Sequence, residues 1–170
     1  MVAAVRVHKT GGPDVLTYEE VEIPAPGQGQ IKMKTHAAGI NFIDCYFRNG
    51  SYPSPVGVPF TAGNESAGEV IAVGPGVTDL KVGDRVAFVG PLGGYAAERV
   101  VPADRALKLP DNISYEQAAG MMLKGMTAQY LVNRTAEEIA NGETTVALLA
   151  GSEDLATMLG ALNKGISLAK

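Results

Sequence analysis

Alternating side chains mark the stretch that decides the fold, Gln30-Ile31-Lys32-Met33-Lys34-Thr35-His36-Ala37. The odd-numbered positions, from Ile31 to Thr35, fall on one face of an extended chain, and the two lysines between them fall on the other. This two-residue period is typical of a strand that packs one face on a core and leaves the other in water. The stretch therefore predicts a half-buried β-strand near the start of the chain.

Short segments of the same kind lie on both sides of this stretch, separated by turns rich in glycine and proline. Apolar or alternating runs bounded by such turns are typical of strands. The predicted strands are Val2 to Val7, Leu16 to Ile23, Gln30 to Ala37, Ala67 to Val73, Asp84 to Val89, Tyr95 to Val101 and Ala106 to Leu109. Repeated short strands favour a barrel or sandwich, so the predicted class is mainly β with a few helices, α+β.

The pattern becomes helical after about residue 111. Ser114 and Gln117 have the spacing of a capping box, and apolar residues from Met121 to Asn133 recur at helical intervals. From Thr135 onward the sequence predicts a tail of helix, strand and helix: Ala136 to Ala140, Thr144 to Leu149 and Leu155 to Leu162. The last helix has a leucine-rich stripe that we expect to cover an apolar surface. We therefore predict two domains, residues 1–134 and 135–170.

Composition excludes several classes of function. The net charge is -4, whereas binding to a nucleic-acid backbone needs a basic excess. No apolar run approaches the roughly 18 residues of a membrane span, and no secretory leader is recognisable, so we expect a cytoplasmic protein with no membrane partner. The single cysteine, Cys45, excludes an internal disulfide. A homodimer is a further expectation.

Four segments together carry a resemblance to a known family: Gly39 to Pro53, Pro59 to Val70, Val82 to Val86 and Leu123 to Ala128. In this order they resemble the N-terminal half of NADPH-dependent quinone oxidoreductases, the zeta-crystallin-like, zinc-free branch of the medium-chain dehydrogenases/reductases. The resemblance implies a GroES-like partial β-barrel, the substrate side of an enzyme whose other half is a Rossmann domain. It also implies hydride transfer from NADPH to a quinone or a related enone.

The zinc ligands of the zinc-using relatives have no counterpart in this sequence. Those relatives place a cysteine, a histidine and a second cysteine where this chain has Asn41, Asn64 and about Lys124. Zinc prefers thiolate and imidazole donors, and a lysine ammonium would repel the ion. We therefore expect no metal in this site. Cys45 is not a displaced ligand, and we expect its role to be structural or incidental.

The resemblance also implies the site residues. Asn41, Tyr46 and Tyr52 are the expected catalytic residues, and the expected cofactor contacts are Asn41, Tyr46, Lys124 and Thr127. Some of these residues also have a simpler interpretation. Asn41 could serve merely as the cap of a helix over 42–48, and the two tyrosines could serve merely as packing residues.

Other polar residues near these positions are expected to be structural. Asp44 and Glu65 are expected to form buried ion pairs with Arg48 or Arg85 rather than to act chemically. His8 and His36 are expected at the surface.

The resemblance does not extend to a dinucleotide-binding fingerprint. No Gly-x-Gly-x-x-Gly motif occurs in the sequence, and the strand-turn-helix at 144–162 carries two carboxylates where a phosphate would sit. We expect the Rossmann domain to be missing or replaced, with NADPH held weakly and activity weak or absent in this chain. Two alternatives stay open: a non-catalytic binding or interaction module, and a reductase that borrows its cofactor site from a partner chain.

Overall fold

A computed structural model describes residues 1–140, with side chains as far as Asn133. The predicted strand Thr144 to Leu149 and helix Leu155 to Leu162 lie outside these residues. The chain divides into two units after Lys124, and the first unit, Met1–Lys124, contains all the strands described here. The predicted domain boundary after residue 134 stays a prediction.

Eight strands and two longer helices form the described part. The strands are β1 Val2–Val7, β2 Leu16–Val21, β3 Gln30–Gly39, β4 Phe60–Thr61, β5 Glu65–Val73, β6 Arg85–Val89, β7 Glu98–Pro102 and β8 Leu107–Lys108. The helices are α1 Phe42–Asn49 and α2 Tyr115–Ala140. One sheet has the order β2-β1-β4 and the other the order β7-β3-β5-β6-β8, with all paired strands antiparallel.

The alternation of β3 places its apolar face in the core. Ile31 and Met33 are fully buried, while Lys34 is exposed. They pack with residues of the neighbouring strands and loops, namely Val70, Leu80, Val86, Phe88 and Val101. The central position of β3, paired with β5 on one side and β7 on the other, explains why its pattern is the clearest in the sequence.

Two further hydrophobic clusters pack α1 and the start of α2 against the rest of the first unit. Phe47 of α1 packs with residues from several loops and strands of the first unit, namely Val7, Val15, Phe60, Ala62 and Leu92. The start of α2 packs Ala118 and Ala119 against Ala67 and Ala87. Small side chains on both partners let this helix approach the sheet closely. As a result, the end of β3, the start of α1 and the first turns of α2 meet in one place.

The predicted class, mainly β with helices in an α+β arrangement, is confirmed. Within residues 1–140 the two sheets are open and do not close into a full barrel, which agrees with the expected partial barrel. The last two predicted strands are shorter than expected: β7 begins at Glu98 rather than Tyr95, and β8 covers only Leu107–Lys108. Ala96 makes only an isolated bridge to Ala4. No helix in this part of the chain is long and apolar enough to cross a membrane.

The predicted helix break at Thr135 is wrong. Met121 to Asn133 and Ala136 to Ala140 belong to one continuous helix, α2, which begins at Tyr115. The segment 134–138 contains neither glycine nor proline, and a single threonine lowers helix propensity only slightly. The predicted capping box is confirmed: the Ser114 N–H donates to Gln117 Oε1 at 2.8 Å, and the Gln117 N–H donates to Ser114 Oγ at 3.1 Å.

Candidate functional site

The site forms where β3 ends and α1 begins. Gly39 is the last residue of β3, and a Cβ on it would overlap the carbonyl oxygen of Ala119 and lie 2.6 Å from Glu65 Oε2. Only glycine leaves room for α2 and the Glu65 side chain to come this close. The next polar residue, Asn41, occupies the N-cap position of α1, and whether it also contacts a ligand stays a prediction. The Asn41 N–H donates to Asp44 Oδ2 at 2.9 Å.

Glu65 is the centre of the hydrogen-bond network and is completely buried. Its Oε2 accepts from Asn41 Nδ2 at 2.8 Å, and its Oε1 accepts from the backbone N–H of Leu123 at 2.7 Å. Lys124 Nζ donates to Asn41 Oδ1 at 2.8 Å and to the Ile40 carbonyl at 3.2 Å. Its distance to Glu65 Oε2 is 3.9 Å. The Asn41 amide is therefore oriented from both ends, by a carboxylate and by an ammonium.

A second carboxylate, Asp44, extends the network. It accepts from Asn64 Nδ2 at 2.6 Å and from the Tyr95 hydroxyl at 2.7 Å. Gly63 has a φ of +90°, and a Cβ there would run into the Tyr95 ring, so glycine is required to admit this tyrosine. Burial, followed by the hydrogen bond to Asp44, raises the pKa of the Tyr95 hydroxyl well above its usual value near 10.

The ion pairs that we expected for these two carboxylates do not form. Neither Asp44 nor Glu65 pairs with Arg48 or Arg85 in the described residues. Arg48 Nε donates to the Gly11 carbonyl, and Arg85 donates to backbone carbonyls at 110–113 and lies over the Tyr115 ring. Both guanidiniums satisfy backbone acceptors, so the cation near Glu65 is Lys124 instead.

The histidines and Cys45 also have defined surroundings. His8 is exposed and bonds to Glu19 at 2.9 Å, as expected of a surface residue. His36 is also exposed, as expected, and its ring stacks on Tyr115 with centroids 4.6 Å apart. Cys45 is a partly buried free thiol that lines the cavity described below.

The three positions that the resemblance matches to zinc ligands, Asn41, Asn64 and Lys124, belong to this one network. The donors present are poor for zinc, because Asn41 Nδ2 and Asn64 Nδ2 both donate to carboxylates and Lys124 is itself a cation. The described residues contain no group of three or more His, Cys, Asp or Glu side chains placed to hold a metal ion. The residues therefore do not fit a catalytic zinc ion.

Zinc binding can be checked directly. We expect the purified chain to carry far less than one zinc per molecule after dialysis against zinc and then buffer, because its site offers amides and an ammonium rather than thiolates and imidazole. Elemental analysis measures the metal content. About one retained zinc per chain would show that the ligand positions were misread.

An apolar cavity of about 520 Å³ opens beside the network. Its lining residues are Ile40, Asn41, Phe42, Cys45 and Lys124. The Phe42 side chain is 82% exposed, although it is large and apolar. Asn41 and Lys124 place an amide and an ammonium at an otherwise apolar wall. Such a combination suits a flat, mostly apolar ligand that carries a few oxygen atoms.

The two predicted tyrosines lie together but outside the lining of this cavity. Tyr46 is on α1 and Tyr52 is in the loop that follows, with ring centroids 5.2 Å apart. Both are partly exposed, and the Tyr52 N–H donates to the Tyr46 carbonyl at 3.0 Å. Thr127 is an exposed residue of α2 in the second unit. The predicted roles of these three residues stay predictions.

Three residues of this candidate site, Phe42, Cys45 and Tyr95, were not among the predicted site residues. Phe42 and Cys45 are three apart on α1 and so share a face, which is a signal that the sequence does contain. Tyr95 carries no such signal, because it is 51 residues from Asp44.

The raised pKa of Tyr95 predicts a pH-dependent stability. The folded chain keeps the phenol proton to higher pH than the unfolded chain, so this contribution is complete below pH 10 and is lost as the pH rises above it. Tyr95→Phe should lower the free energy of unfolding by about 1–2 kcal/mol between pH 7 and 9. This difference in stability between the variant and the parent should shrink above about pH 10. Urea unfolding across this range measures it.

Tyr18→Phe is the control, since Tyr18 is 76% exposed on β2. It should leave the free energy of unfolding unchanged at neutral pH. A Tyr95→Phe penalty that stays constant into strong alkali would contradict the assigned hydrogen bond to Asp44.

The sequence matches a domain family and several proteins that are already known. Residues 27–111 match the alcohol dehydrogenase GroES-like domain. A quinone oxidoreductase of Pseudomonas aeruginosa is 47% identical over 145 residues, which cover 85% of this chain and 44% of that protein. A 2-haloacrylate reductase of Burkholderia is 47% identical over 140 residues, covering 79% of this chain and 42% of that protein.

Solved structures give the same result. The Escherichia coli quinone oxidoreductase, crystallised in complex with NADPH, superposes with a TM-score of 0.76 at 44% identity, covering 78% of this chain and 41% of that one. The chain thus spans less than half the length of these relatives. On these matches it belongs to the alcohol dehydrogenase GroES-like domain family, and it is similar to the N-terminal part of quinone oxidoreductases.

Proposed function

We propose that this chain is the acceptor-binding half of an NADPH-dependent quinone oxidoreductase. The observation that carries the proposal is the apolar cavity of about 520 Å³, with the Asn41 amide and the Lys124 ammonium in its wall. A quinone is a flat apolar ring with polar oxygen atoms at its edge, which is the ligand shape and chemistry that this lining favours. The quinone oxidoreductases and the 2-haloacrylate reductase among its relatives support the same class of acceptor.

The residues of the cavity divide by chemistry. Ile40 and Phe42 supply apolar contact to the ring, and their exposure leaves them available for it. Asn41 orients the acceptor through an amide that Glu65 and Lys124 hold in place. NADPH, when bound, supplies the hydride, and the chain contributes alignment and exclusion of water rather than a nucleophile. We assign Tyr46 and Tyr52 to the side of the site that the cofactor approaches, while a cofactor contact of Thr127 stays a prediction.

NADPH affinity should be low in this chain by itself. We expect a dissociation constant weaker than about 1 mM, a binding free energy under roughly 4 kcal/mol, because the sequence contains no glycine-rich phosphate fingerprint. Titration calorimetry on the purified chain measures it, with NADH as the matched comparison. Micromolar affinity for NADPH would mean that the chain carries an intact dinucleotide site.

Quinone binding tests the proposed function itself. Anthraquinone-2-sulfonate is a suitable probe because it is soluble and has no free alkene to react with Cys45. Phe42→Ser should weaken its binding about tenfold, close to 1.4 kcal/mol, through loss of aromatic contact. Tyr18→Ser, which removes an equally exposed aromatic residue outside the cavity, should leave the affinity unchanged.

The same titration separates the alternatives. A module that binds other proteins would show no saturable quinone affinity, or an affinity that is insensitive to Phe42→Ser, and either result would overturn the proposal. The cytoplasmic location and the homodimer that we expected from the sequence stay predictions.

A further inference from the structure

We infer that the Lys124 ammonium donates a hydrogen bond to an oxygen atom of the acceptor and stabilises the negative charge that hydride addition places there. The inference rests on the proposed function and assigns to Lys124 a role on the acceptor rather than on a cofactor phosphate. Its starting point is the geometry around Nζ. An ammonium has three N–H donors, and two of them are committed, to Asn41 Oδ1 at 2.8 Å and to the Ile40 carbonyl at 3.2 Å.

The third donor has no hydrogen-bond partner in the described part of the chain. Glu65 Oε2, at 3.9 Å, is too far for a hydrogen bond, although it is close enough to attract the charge. The Glu65 oxygens already accept from Asn41 and from the backbone of Leu123. The Lys124 side chain is 56% exposed, and Lys124 lines the same cavity as its two acceptors, Ile40 and Asn41. The remaining N–H is therefore held at the wall of the acceptor cavity.

The surroundings increase the effect of this charge. Ile40, Phe42 and Cys45 make the rest of the lining largely apolar, so a bound acceptor would displace water from around the ammonium. A charge acts more strongly on a developing oxyanion when it is fixed in advance and shielded from water. Asn41 and Ile40 fix the ammonium, because each accepts one of its N–H groups.

The chemical step balances with the donor named in the proposed function. NADPH, when bound, would supply the hydride from its dihydronicotinamide ring and would be oxidised to the nicotinamide cation. In an enone the hydride forms a bond to the β-carbon, the π pair of the C=C bond forms a new double bond between the α-carbon and the carbonyl carbon, and the π pair of the carbonyl moves onto oxygen. Lys124 stabilises this oxyanion through its third N–H, and a proton from water then neutralises it. Acceptors with a carbonyl oxygen conjugated to the carbon that is reduced would gain this stabilisation.

The test uses 4-nitrophenol as a model of the oxyanion, with the full chain and no cofactor. Its ionised and neutral forms differ in visible absorbance, so the pKa of the bound phenol can be read directly. The parent should lower this pKa by about one unit, which means about tenfold tighter binding of phenolate than of phenol. Lys124→Met and Lys124→Gln should each abolish the lowering, while Lys124→Arg should keep most of it.

Two controls separate this inference from the proposed function. Lys34→Met removes an exposed lysine that does not line the cavity and should leave the bound pKa unchanged. The neutral analogue 4-nitroanisole should bind the parent and Lys124→Gln within about twofold of each other, which shows that the cavity persists. If 4-nitroanisole binds but the phenol pKa is the same in parent and variants, the role of Lys124 is overturned and the cavity stands. If neither probe binds the parent, both proposals fail.

Discussion

Gly39→Ala should lower the free energy of unfolding by about 3 kcal/mol or more. The new methyl group would overlap the carbonyl oxygen of Ala119 and lie 2.6 Å from Glu65 Oε2. Neither neighbour is the end of a flexible side chain at the surface: one is helix backbone and the other is a buried carboxylate with two hydrogen bonds. Relief of the overlap must move α2 away from β3, which costs packing energy in a dense interior.

Urea unfolding monitored by circular dichroism measures this loss. Gly120→Ala is the matched control, because it is the same substitution in the first turns of α2 with open space around the new methyl group. In a helix interior this control should be neutral or stabilising by up to about 1 kcal/mol. Equal stability of Gly39→Ala and the parent would show that β3 and α2 are not in contact at this point.

Glu65→Gln should lower the free energy of unfolding by about 2–4 kcal/mol, although it leaves the size of the side chain unchanged. Each carboxylate oxygen accepts from an N–H, one on Asn41 and one on Leu123. Whichever way the new amide turns, its NH₂ group must face one of these donors. The substitution also removes the negative charge 3.9 Å from Lys124 Nζ, at a position with no exposure to water.

The control for this variant lies on the same strand. Glu69→Gln neutralises a partly exposed carboxylate of β5 and should change the free energy of unfolding by less than about 0.5 kcal/mol. The two variants should therefore differ strongly in urea midpoint. A Glu65→Gln penalty no larger than that of Glu69→Gln would mean that the buried carboxylate does not make these bonds.

Local patterns in the sequence were sufficient for much of the fold. The alternation at 30–37 predicted β3 because one face of that strand packs on the core. The capping box at Ser114 and Gln117 predicted the start of α2, since both bonds form within four residues. The predicted helix break at Thr135 was wrong, because the segment 134–138 contains no glycine or proline to end the helix.

The partners within the site could not be predicted in the same way. Glu65 meets Asn41 and Lys124 from segments 24 and 59 residues away, and Tyr95 meets Asp44 across 51 residues. Charge alone suggested Arg48 and Arg85 as partners, but both arginines bond to carbonyls of nearby loops. Which cation reaches a buried carboxylate depends on how the helices pack, and a single sequence does not contain that information.

The family resemblance identified candidate site residues that local sequence patterns did not. It singled out Asn41 and Lys124, and the structure brings them into one hydrogen bond of 2.8 Å. It also singled out Tyr46 and Tyr52, whose rings pair outside the cavity lining.

The most direct test of the account is to map where a quinone binds on the chain. Two-dimensional NMR of the labelled protein, titrated with anthraquinone-2-sulfonate, should show saturable shifts concentrated at residues 40–45 and at Lys124, the lining of the cavity. The molecule offers a second apolar groove for comparison, of about 220 Å³ and lined in part by Leu107, Leu109 and Met121. Saturable shifts at that groove alone, or no saturable shifts at all, would contradict the assignment of the Asn41–Lys124 cavity as the acceptor site.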